Sequence, residues 1–197
     1  RIDNYDGSGT QTRINWERKF AKGGVGAIIS AHVPIHIHGR ILPNYATIDK
    51  DERVAFWRKL GETVHAADCK FILQLSHSGR QQDIGGIENL GRKPLSATSS
   101  TEGFHGLPCQ AMSLAQIRQM IGFFADGARR VREAGLDGIE LHAANGYLFT
   151  QFLSSAINDR KDEYGGSLEN RARFLLDVIR AIREKVGKDF HLQVKFS

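Results

Sequence analysis

A pair of hydrogen-bond donors and a phenol follow an apolar run in this sequence. His142 and Asn145 are three residues apart, and Tyr147 comes two residues later, after the run at residues 138–141. Histidine and asparagine side chains can both donate a hydrogen bond to the same substrate oxygen. A tyrosine beside them can deliver a proton to a neighbouring atom. This spacing predicts an enzyme that polarises a carbonyl group and protonates the carbon next to it.

Four apolar runs must position these residues, and helical patterns separate the runs. The runs lie at residues 25–29, 71–75, 138–141 and 192–196. The first run is continuous rather than alternating, which is typical of a strand that is buried on both faces. The spacing of apolar residues between the runs predicts helices over residues 12–22, 50–67, 113–131 and 169–186.

This alternation of helix and strand signals predicts a parallel α/β sheet. Both a (β/α)8 barrel and an open doubly wound sheet fit the order. No Gly-x-Gly-x-x-Gly motif follows any run, which argues against a dinucleotide-binding open sheet. Functional-looking residues at several strand ends favour the barrel. A complete barrel has eight strands and typically ~250 residues, so we predict a partial TIM barrel of four strand–helix units.

Three local patterns give further structural predictions. Ser113 with Gln116, and Asp49 with Glu52, have the spacing of a capping box at a helix start. The stretch from residue 78 to residue 112 is rich in glycine and serine, and loops of that length are usually functional or disordered. Because the stretch follows a strand, we interpret it as an active-site cover.

Composition and charge are those of an ordinary globular protein. The chain has 197 residues, of which 41% are hydrophobic and 25% charged, and its formal net charge is +5. The positive charges are scattered, which argues against nucleic acid as a partner. No apolar run approaches the ~20 residues that cross a bilayer. The two cysteines, Cys69 and Cys109, lack a paired spacing and fit a reducing compartment. We therefore expect a cytoplasmic protein without membrane or nucleic-acid partners.

Four segments combine into a specific pattern. They are His-Ala-Ala-Asn-Gly-Tyr at 142–147, Asp-Glu-Tyr-Gly-Gly-Ser at 162–167, Glu-Asn-Arg-Ala-Arg-Phe at 169–174 and Gln-Leu-Ser-His at 74–77. Together they resemble the Old Yellow Enzyme family of FMN-dependent ene-reductases. The resemblance extends over most of the chain and is most specific between residues 142 and 174.

The resemblance implies an activity and the residues that perform it. It implies FMN at the C-terminal mouth of the barrel, NADH or NADPH as the reductant, and an α,β-unsaturated carbonyl compound such as an enone as the substrate. In this family pattern His142 and Asn145 correspond to the residues that bind the substrate oxygen. Tyr147 corresponds to the residue that protonates the α-carbon.

The resemblance also implies three residues on the cofactor side. Ala31 corresponds to a small residue that packs near the flavin. Gln74 corresponds to an amide that hydrogen-bonds the pyrimidine edge of the flavin. Lys195 takes the place of a cation beside flavin N1 and O2. His142 belongs to the cofactor-binding set as well as to the catalytic one.

The chain departs from the family pattern at two residues. Lys195 stands where relatives usually carry arginine, and a lysine cannot make the planar two-pronged contact of a guanidinium. Asn145 stands where many relatives carry a second histidine, and it is a donor that cannot become positively charged. The resemblance further implies that residues 1–197 are one partial FMN-binding domain. The first strand, strands six to eight and a Gly-rich phosphate site lie outside it.

Structural interpretations of the same residues stay open. His142 and Gln74 could be core residues whose hydrogen bonds serve only the fold. His32, His36 and His38 could suggest a metal, with His36 and His38 on one face of a strand. No carboxylate or cysteine lies close in sequence to complete a ligand set, so no metal is expected, and a substrate-facing or surface loop is the favoured interpretation.

Two other functions compete with ene-reduction. One is a flavoenzyme of the 2,4-dienoyl-CoA reductase type, with an iron–sulfur cluster further along the chain. The other is a non-catalytic half-barrel that acts as an interaction module. The end strands of a half-barrel present unpaired edges that invite association, including the formation of a homo-oligomer.

Overall fold

A parallel sheet organises the molecule. The computed structural model describes residues 2–82, 92–103 and 106–197. The strands in them are β1 (Ala27–Ile29), β2 (Val33–Pro34), β3 (Lys70–Ser76), β4 (Leu95–Ser96), β5 (Gln110–Ala111), β6 (Gly138–Ala143) and β7 (His191–Phe196). The sheet order is β1-β3-β6-β7, β2 also pairs with β3, and all these pairs are parallel. The predicted parallel sheet is therefore confirmed.

Helices connect the strands in the described part of the chain. They are α1 (Gln11–Lys22), α2 (Val54–His65), α3 (Leu114–Glu133), α4 (Leu148–Leu153) and α5 (Leu168–Val186). The predicted capping box at the start of α3 is present, because Ser113 and Gln116 make both of its hydrogen bonds. Ser167 caps α5 by accepting a hydrogen bond from the backbone N–H of Asn170. The sequence patterns did not predict the short helix α4.

Alternation along the central strands sorts their side chains between two faces. On β3, Phe71, Leu73 and Leu75 are fully buried in the hydrophobic core, which also contains side chains of α2, α3 and α5. The residues between them on β3, and Glu140 and His142 on β6, project from the opposite face of the sheet. This opposite face is the interior of the partial barrel, and it carries the polar residues.

Strand β1 differs from the sequence-based expectation of burial on both faces. Ala27 and Ile29 are exposed, Ile29 by 46% of its surface. The strand is also shorter than the apolar run at 25–29. The reason for the exposure is that Ala27 and Ile29 share the face of their register partners Lys70 and Ile72, which is the open interior of the partial barrel rather than the core.

The helix start predicted near residue 50 is wrong in detail. Asp49 and Glu52 form no capping box, since a 3-10 turn at Asp51–Arg53 precedes α2. The Asp49 carboxylate instead accepts hydrogen bonds from the Thr47 hydroxyl at 2.6 Å and from Arg53 at 3.4 Å. A capping-box spacing therefore did not suffice here, because a nearby hydroxyl and a guanidinium compete for the carboxylate.

The stretch from residue 78 to residue 112 is more regular than predicted. It contains a 3-10 turn at Gly79–Gln81 and the two strands β4 and β5, which pair with each other in parallel. Residues 83–91 and 104–105 of this stretch lie outside the described residues.

Of the helices in the described ranges, none combines the length and the apolar character that a membrane span requires.

Candidate active site

One cavity of about 590 Å³, which we call the mouth cavity, lies at the carboxyl ends of the parallel strands. Its walls include every residue that the sequence analysis assigned to catalysis or cofactor binding: Ala31, Gln74, His142, Asn145, Tyr147 and Lys195. These residues come from the ends of β1, β3, β6 and β7. Catalytic residues of TIM barrels come from the ends of several strands in the same way. The structure thus brings the six predicted residues together, while their roles remain predictions.

An interruption in the sheet directs Ala31 and His32 to the mouth. The chain pairs with β3 up to Ile29, leaves it, and returns at Val33 beside Leu75. The Ser30 hydroxyl fixes the interruption, because it accepts a hydrogen bond from the backbone N–H of Gln74 and donates one to the carbonyl of Ala31, both at 2.9 Å. The three residues between the two paired segments therefore line the cavity rather than continue the strand.

A left-handed turn after β6 presents the next two predicted residues. Asn145 has φ of +57° and Gly146 has φ of +73°, and asparagine is one of the few side chains that tolerate this conformation. Buried Gln151 secures the turn, since its amide nitrogen donates to the carbonyls of Gly146 at 2.8 Å and Ser78 at 3.0 Å. Tyr147 follows as the residue that precedes α4. The turn holds Asn145 and Tyr147 at the rim of the cavity.

His142 is a neutral hydrogen-bond donor. Burial and, to a lesser extent, the charge of Lys195 lower the pKa of its imidazole to about 4, while Glu140 opposes the shift. The Nδ1 atom of His142 accepts a long hydrogen bond of 3.4 Å from the backbone N–H of Ala144. The single proton of the neutral ring therefore belongs on Nε2. This leaves an N–H group at the mouth that can bind an oxygen.

Tyr147 keeps its proton at neutral pH. Burial raises the pKa of its phenol above the ordinary value of 10, and a side-chain hydrogen bond with Asn145 opposes the shift. Its ring packs edge-on against His142, with ring centroids 4.9 Å apart, and against His32 at 5.3 Å. The protonated phenol and the neutral imidazole therefore lie side by side at one strand end.

A carboxylate links three neighbouring strands beneath these residues. Gln74, Glu140 and Gln193 are register partners on β3, β6 and β7. The Glu140 carboxylate accepts hydrogen bonds from the amide nitrogens of Gln74 at 2.7 Å and Gln193 at 2.5 Å. The amide nitrogen of Gln74 is thus engaged within the fold, and its carbonyl oxygen remains as an acceptor for a ligand. The structural interpretation of Gln74 therefore applies, and its role in cofactor binding stays a prediction.

Among the residues of the mouth cavity that the sequence analysis did not assign to it are Tyr45 and Glu140. His32, which the sequence analysis placed on a substrate-facing or surface loop, also lines the cavity. A charged residue two positions before His142 in an apolar run was a readable signal for Glu140, since such residues share a strand face. The ring of Tyr45 packs against His32, with ring centroids 5.4 Å apart, and no periodicity in the sequence predicts this contact.

The histidines at 32, 36 and 38 do not gather around a common point. His32 lines the mouth cavity, whereas His36 and His38 line a separate cavity. His36 and His38 also do not share a strand, because they flank and occupy a 3-10 turn at Ile37–Gly39. Across the described ranges, no group of three potential metal ligands was found.

The residues after β3 brace the loop rather than line the mouth. His77 is buried, its pKa falls to about 3 through burial, and its Nδ1 accepts a hydrogen bond from the backbone N–H of Gly79 at 3.0 Å. Buried Ser78 donates to the Arg40 carbonyl at 3.4 Å. Within the described parts of residues 78–112, no side chain lines the mouth cavity. Gln81 contacts the turn at the rim, where its amide nitrogen donates to the carbonyls of Asn145 and Gly146 at 3.4 Å, and the active-site cover stays a prediction.

Comparison with known proteins adds independent information. An NADH oxidase from Thermoanaerobacter brockii is 38% identical over 197 residues, which are 100% of this chain and 30% of that protein. A cinnamate reductase from Clostridium sporogenes is 33% identical over 200 residues, covering 98% of this chain and 30% of that protein. The chain thus spans about a third of the length of each of these curated relatives.

A solved structure matches the fold closely. The Old Yellow Enzyme from Pichia sp. AKU4542 superposes with a TM-score of 0.89 and 31% identity, over 99% of this chain and 53% of that one. The predicted partial TIM barrel is thereby confirmed. The sequence model of the NADH:flavin oxidoreductase / NADH oxidase family matches residues 2–197. Because this match covers nearly the whole chain, the chain belongs to the NADH:flavin oxidoreductase / NADH oxidase family.

Proposed function

We propose that the protein to which this chain belongs is an FMN-dependent oxidoreductase. In this proposal it uses NADH or NADPH to reduce the C=C bond of α,β-unsaturated carbonyl compounds such as enones. The observation that carries the proposal is the convergence of His142, Asn145 and Tyr147 with Gln74 and Lys195 on one cavity. The name of the Clostridium sporogenes relative adds support, because cinnamate has a C=C bond conjugated to a carboxylate.

The chemistry of the mouth cavity suits a flavin ring system. Its volume of about 590 Å³ is within the usual range of small-molecule sites. Lys195 offers a positive charge, Gln74 an amide carbonyl, and Ala31 a wall residue without bulk. We propose that these three residues and His142 hold the cofactor. A bound flavin supplies a hydride to the substrate.

The chain's own residues then act on the substrate oxygen and on one carbon. Negative charge develops on the carbonyl oxygen during reduction, and fixed donors at that oxygen stabilise it. The Nε2–H of His142 and the side-chain amide of Asn145 are such donors. The protonated phenol of Tyr147 delivers a proton to the carbon beside the carbonyl. The raised pKa of Tyr147 favours this role, because the phenol stays protonated at neutral pH.

The test uses the full-length protein with NADH or NADPH and cyclohexenone. We expect Tyr147→Phe to lower turnover at least about 10²-fold, the lower end of what a positioned acid contributes. Oxidation of the nicotinamide by the flavin, measured without enone, should stay within about twofold, because that step needs no proton donor at the substrate carbon. Unchanged cyclohexenone turnover in Tyr147→Phe excludes the assigned proton donor.

Two observations favour other functions enough to test them. The chain covers 30% of the Thermoanaerobacter brockii relative, so a longer flavoenzyme with an iron–sulfur cluster is a second candidate. A cysteine cluster in the full-length sequence and a cluster absorbance spectrum would support it. Exposed edges at Ile29 and Phe196 favour the third candidate, an interaction module or homo-oligomer without flavin. A colourless, self-associating full-length protein, without absorbance near about 450 nm, supports that candidate.

We also propose a cytoplasmic location. Cys69 and Cys109 are both free and buried, which is the state expected in a reducing compartment. A membrane-impermeant amine reagent should label exposed lysines such as Lys70 in permeabilised cells and not in intact cells.

A further inference from the structure

A second cavity, which we call the side cavity, lies beside the mouth. It has a volume of about 640 Å³, and its walls come from the loops after β2 and β3 and from the amino-terminal half of α3. Its described lining shares no residue with the mouth cavity. The size of the side cavity suits a small molecule.

The segment at residues 32–40 separates the two cavities. On the mouth side, His32 Nε2 donates to the carbonyl of Gly39 at 3.2 Å. On the other side, Gly39 lies so close to His77 that a Cβ atom on the glycine would be 2.6 Å from the imidazole Cδ2. The partition is therefore well packed, and the side cavity is a site of its own.

One wall of the side cavity is apolar and includes an aromatic ring. Leu95, Met120 and Phe123 form it, and the His36 ring stacks on Phe123 with ring centroids 4.8 Å apart and planes 26° apart. Such a wall offers a planar contact to an aromatic or otherwise apolar group.

The rim of the side cavity is positively charged. Arg92 and Lys93 line it, and the described lining residues include no carboxylate. Arg92 contacts His38 Nε2, which can only accept a hydrogen bond from it. Burial lowers the pKa of His36 and His38, so the neighbouring imidazoles are neutral at pH 7 and do not add a cation.

Amide side chains of α3 complete the set of donors. The side-chain oxygen of Gln116 accepts a hydrogen bond from the backbone N–H of Ser113 at 2.9 Å, so the amide nitrogen is left to donate. Gln119 lies on the same helix and is exposed at the cavity. Cations, amide donors and an apolar wall together are complementary to an anionic head on an apolar body.

We propose that the side cavity binds a small organic anion, with its charged group at Arg92 and Lys93 and its apolar body against Phe123. The ligand class is a carboxylate or a similar monoanion attached to a planar apolar group. The site is distinct from the proposed catalytic mouth, and binding to it does not depend on the proposed reaction.

The test is a ¹⁹F NMR titration of the full-length, cofactor-loaded protein with 4-fluorobenzoate and with its neutral counterpart 4-fluorobenzamide. We expect benzoate to bind more tightly than benzamide, and its affinity to fall with added salt. Replacing both cations in Arg92→Gln/Lys93→Gln should weaken benzoate about fivefold, since exposed charge pairs contribute modestly. Benzamide should bind this variant and the parent equally.

Two further variants keep the test decisive. Gln119→Glu changes an exposed residue and should weaken benzoate about threefold by placing a negative charge at the rim. Arg118→Gln removes an exposed cation of α3 that lines neither cavity and should leave benzoate binding unchanged. The proposal is overturned by the absence of millimolar benzoate binding, by benzamide binding as tightly as benzoate, or by a loss of benzoate affinity in Arg118→Gln as large as in the rim variants. Because the readout is binding, none of these results bears on enone turnover.

Discussion

The two ends of strands β3 and β6 differ in whether their polar side chains have hydrogen-bond partners. At the amino ends, Asp137 accepts hydrogen bonds from His65 at 2.6 Å and from the backbone N–H of Phe71 at 2.8 Å, and it pairs with Lys70 at 3.1 Å. At the carboxyl ends, buried atoms such as His32 Nδ1 and Ser76 Oγ have no hydrogen-bond partner among the described residues. Buried polar groups are usually paired. The amino end is therefore self-sufficient, whereas the carboxyl end keeps hydrogen-bonding capacity for a ligand or water.

The largest expected difference between the two ends is in activity. His142→Ala at the carboxyl end should lower kcat with cyclohexenone by about 10²–10³, the usual loss for one donor to a developing oxyanion. His65→Ala at the amino end is the matched control, and kcat should stay within about twofold because His65 lies outside the mouth cavity. Equal losses in both variants contradict the division of roles between the ends.

The next largest effect is in stability and belongs to the amino end. Asp137→Ala removes the acceptor of the Phe71 N–H and the His65 partner, which should lower the free energy of unfolding by about 1–3 kcal/mol. Urea unfolding measures the change. Asp137→Asn keeps an acceptor for the Phe71 N–H and should lose less. A loss in Asp137→Asn as large as in Asp137→Ala would mean that the negative charge, rather than the hydrogen bond, stabilises this end.

A third test separates the ends by pH. Burial lowers the pKa of His77 to about 3 from 6.5. As pH falls below 6.5, the unfolded chain binds a proton that the folded chain excludes, so stability decreases down to about pH 3. For one such group the slope approaches about 1.4 kcal/mol per pH unit. His77→Asn keeps an acceptor for the Gly79 N–H and should reduce the slope by about this amount between pH 5.5 and 4.5 in urea melts. His32 and His142, whose pKa values burial also lowers, keep contributing to the slope that is left.

The matching carboxylate at the amino end acts in another pH range. The pKa of Asp137 lies below its ordinary value of 3.8; burial opposes this shift, while hydrogen bonds from the Phe71 N–H, His65 and Lys70 produce it. Its stabilisation is present above pH 3.8 and is lost only as pH falls further.

A His77→Asn profile identical to that of the parent protein between pH 6.5 and 4 is the result that contradicts the lowered pKa of His77.

The smallest expected effect is that of an exposed ion pair. The Lys70 side chain is 70% exposed, and its pair with Asp137 is screened by solvent. Lys70→Ala should change the free energy of unfolding by less than about 0.5 kcal/mol. Chemical denaturation at low and high salt checks this, and a larger loss would show that the Asp137 cluster depends on its cation.

The sequence predicted best what lies close together along the chain. His142, Asn145 and Tyr147 share one strand end, so their spacing alone suggested a joint site, and the structure brings them to one cavity. Gln74 and Lys195 were assigned to the same site only through the family resemblance, because the spacing of residues along the chain does not determine the register in which strands pair. Tyr45 was missed, since its position depends on packing against His32. The exposure of β1 was not predicted, because the apolar character of a run does not show whether another part of the protein covers its side chains.

The break between β1 and β2 has a consequence for how the mouth can vary. Residues 30–32 are anchored on both sides, because the segments before and after them pair with β3. An exchange confined to the exposed Ala31 therefore alters the cavity wall while the strand register on either side is retained. A saturation library at this codon should yield mostly folded variants with an altered mouth cavity, which makes this residue a natural starting point for evolving the protein toward new ligands.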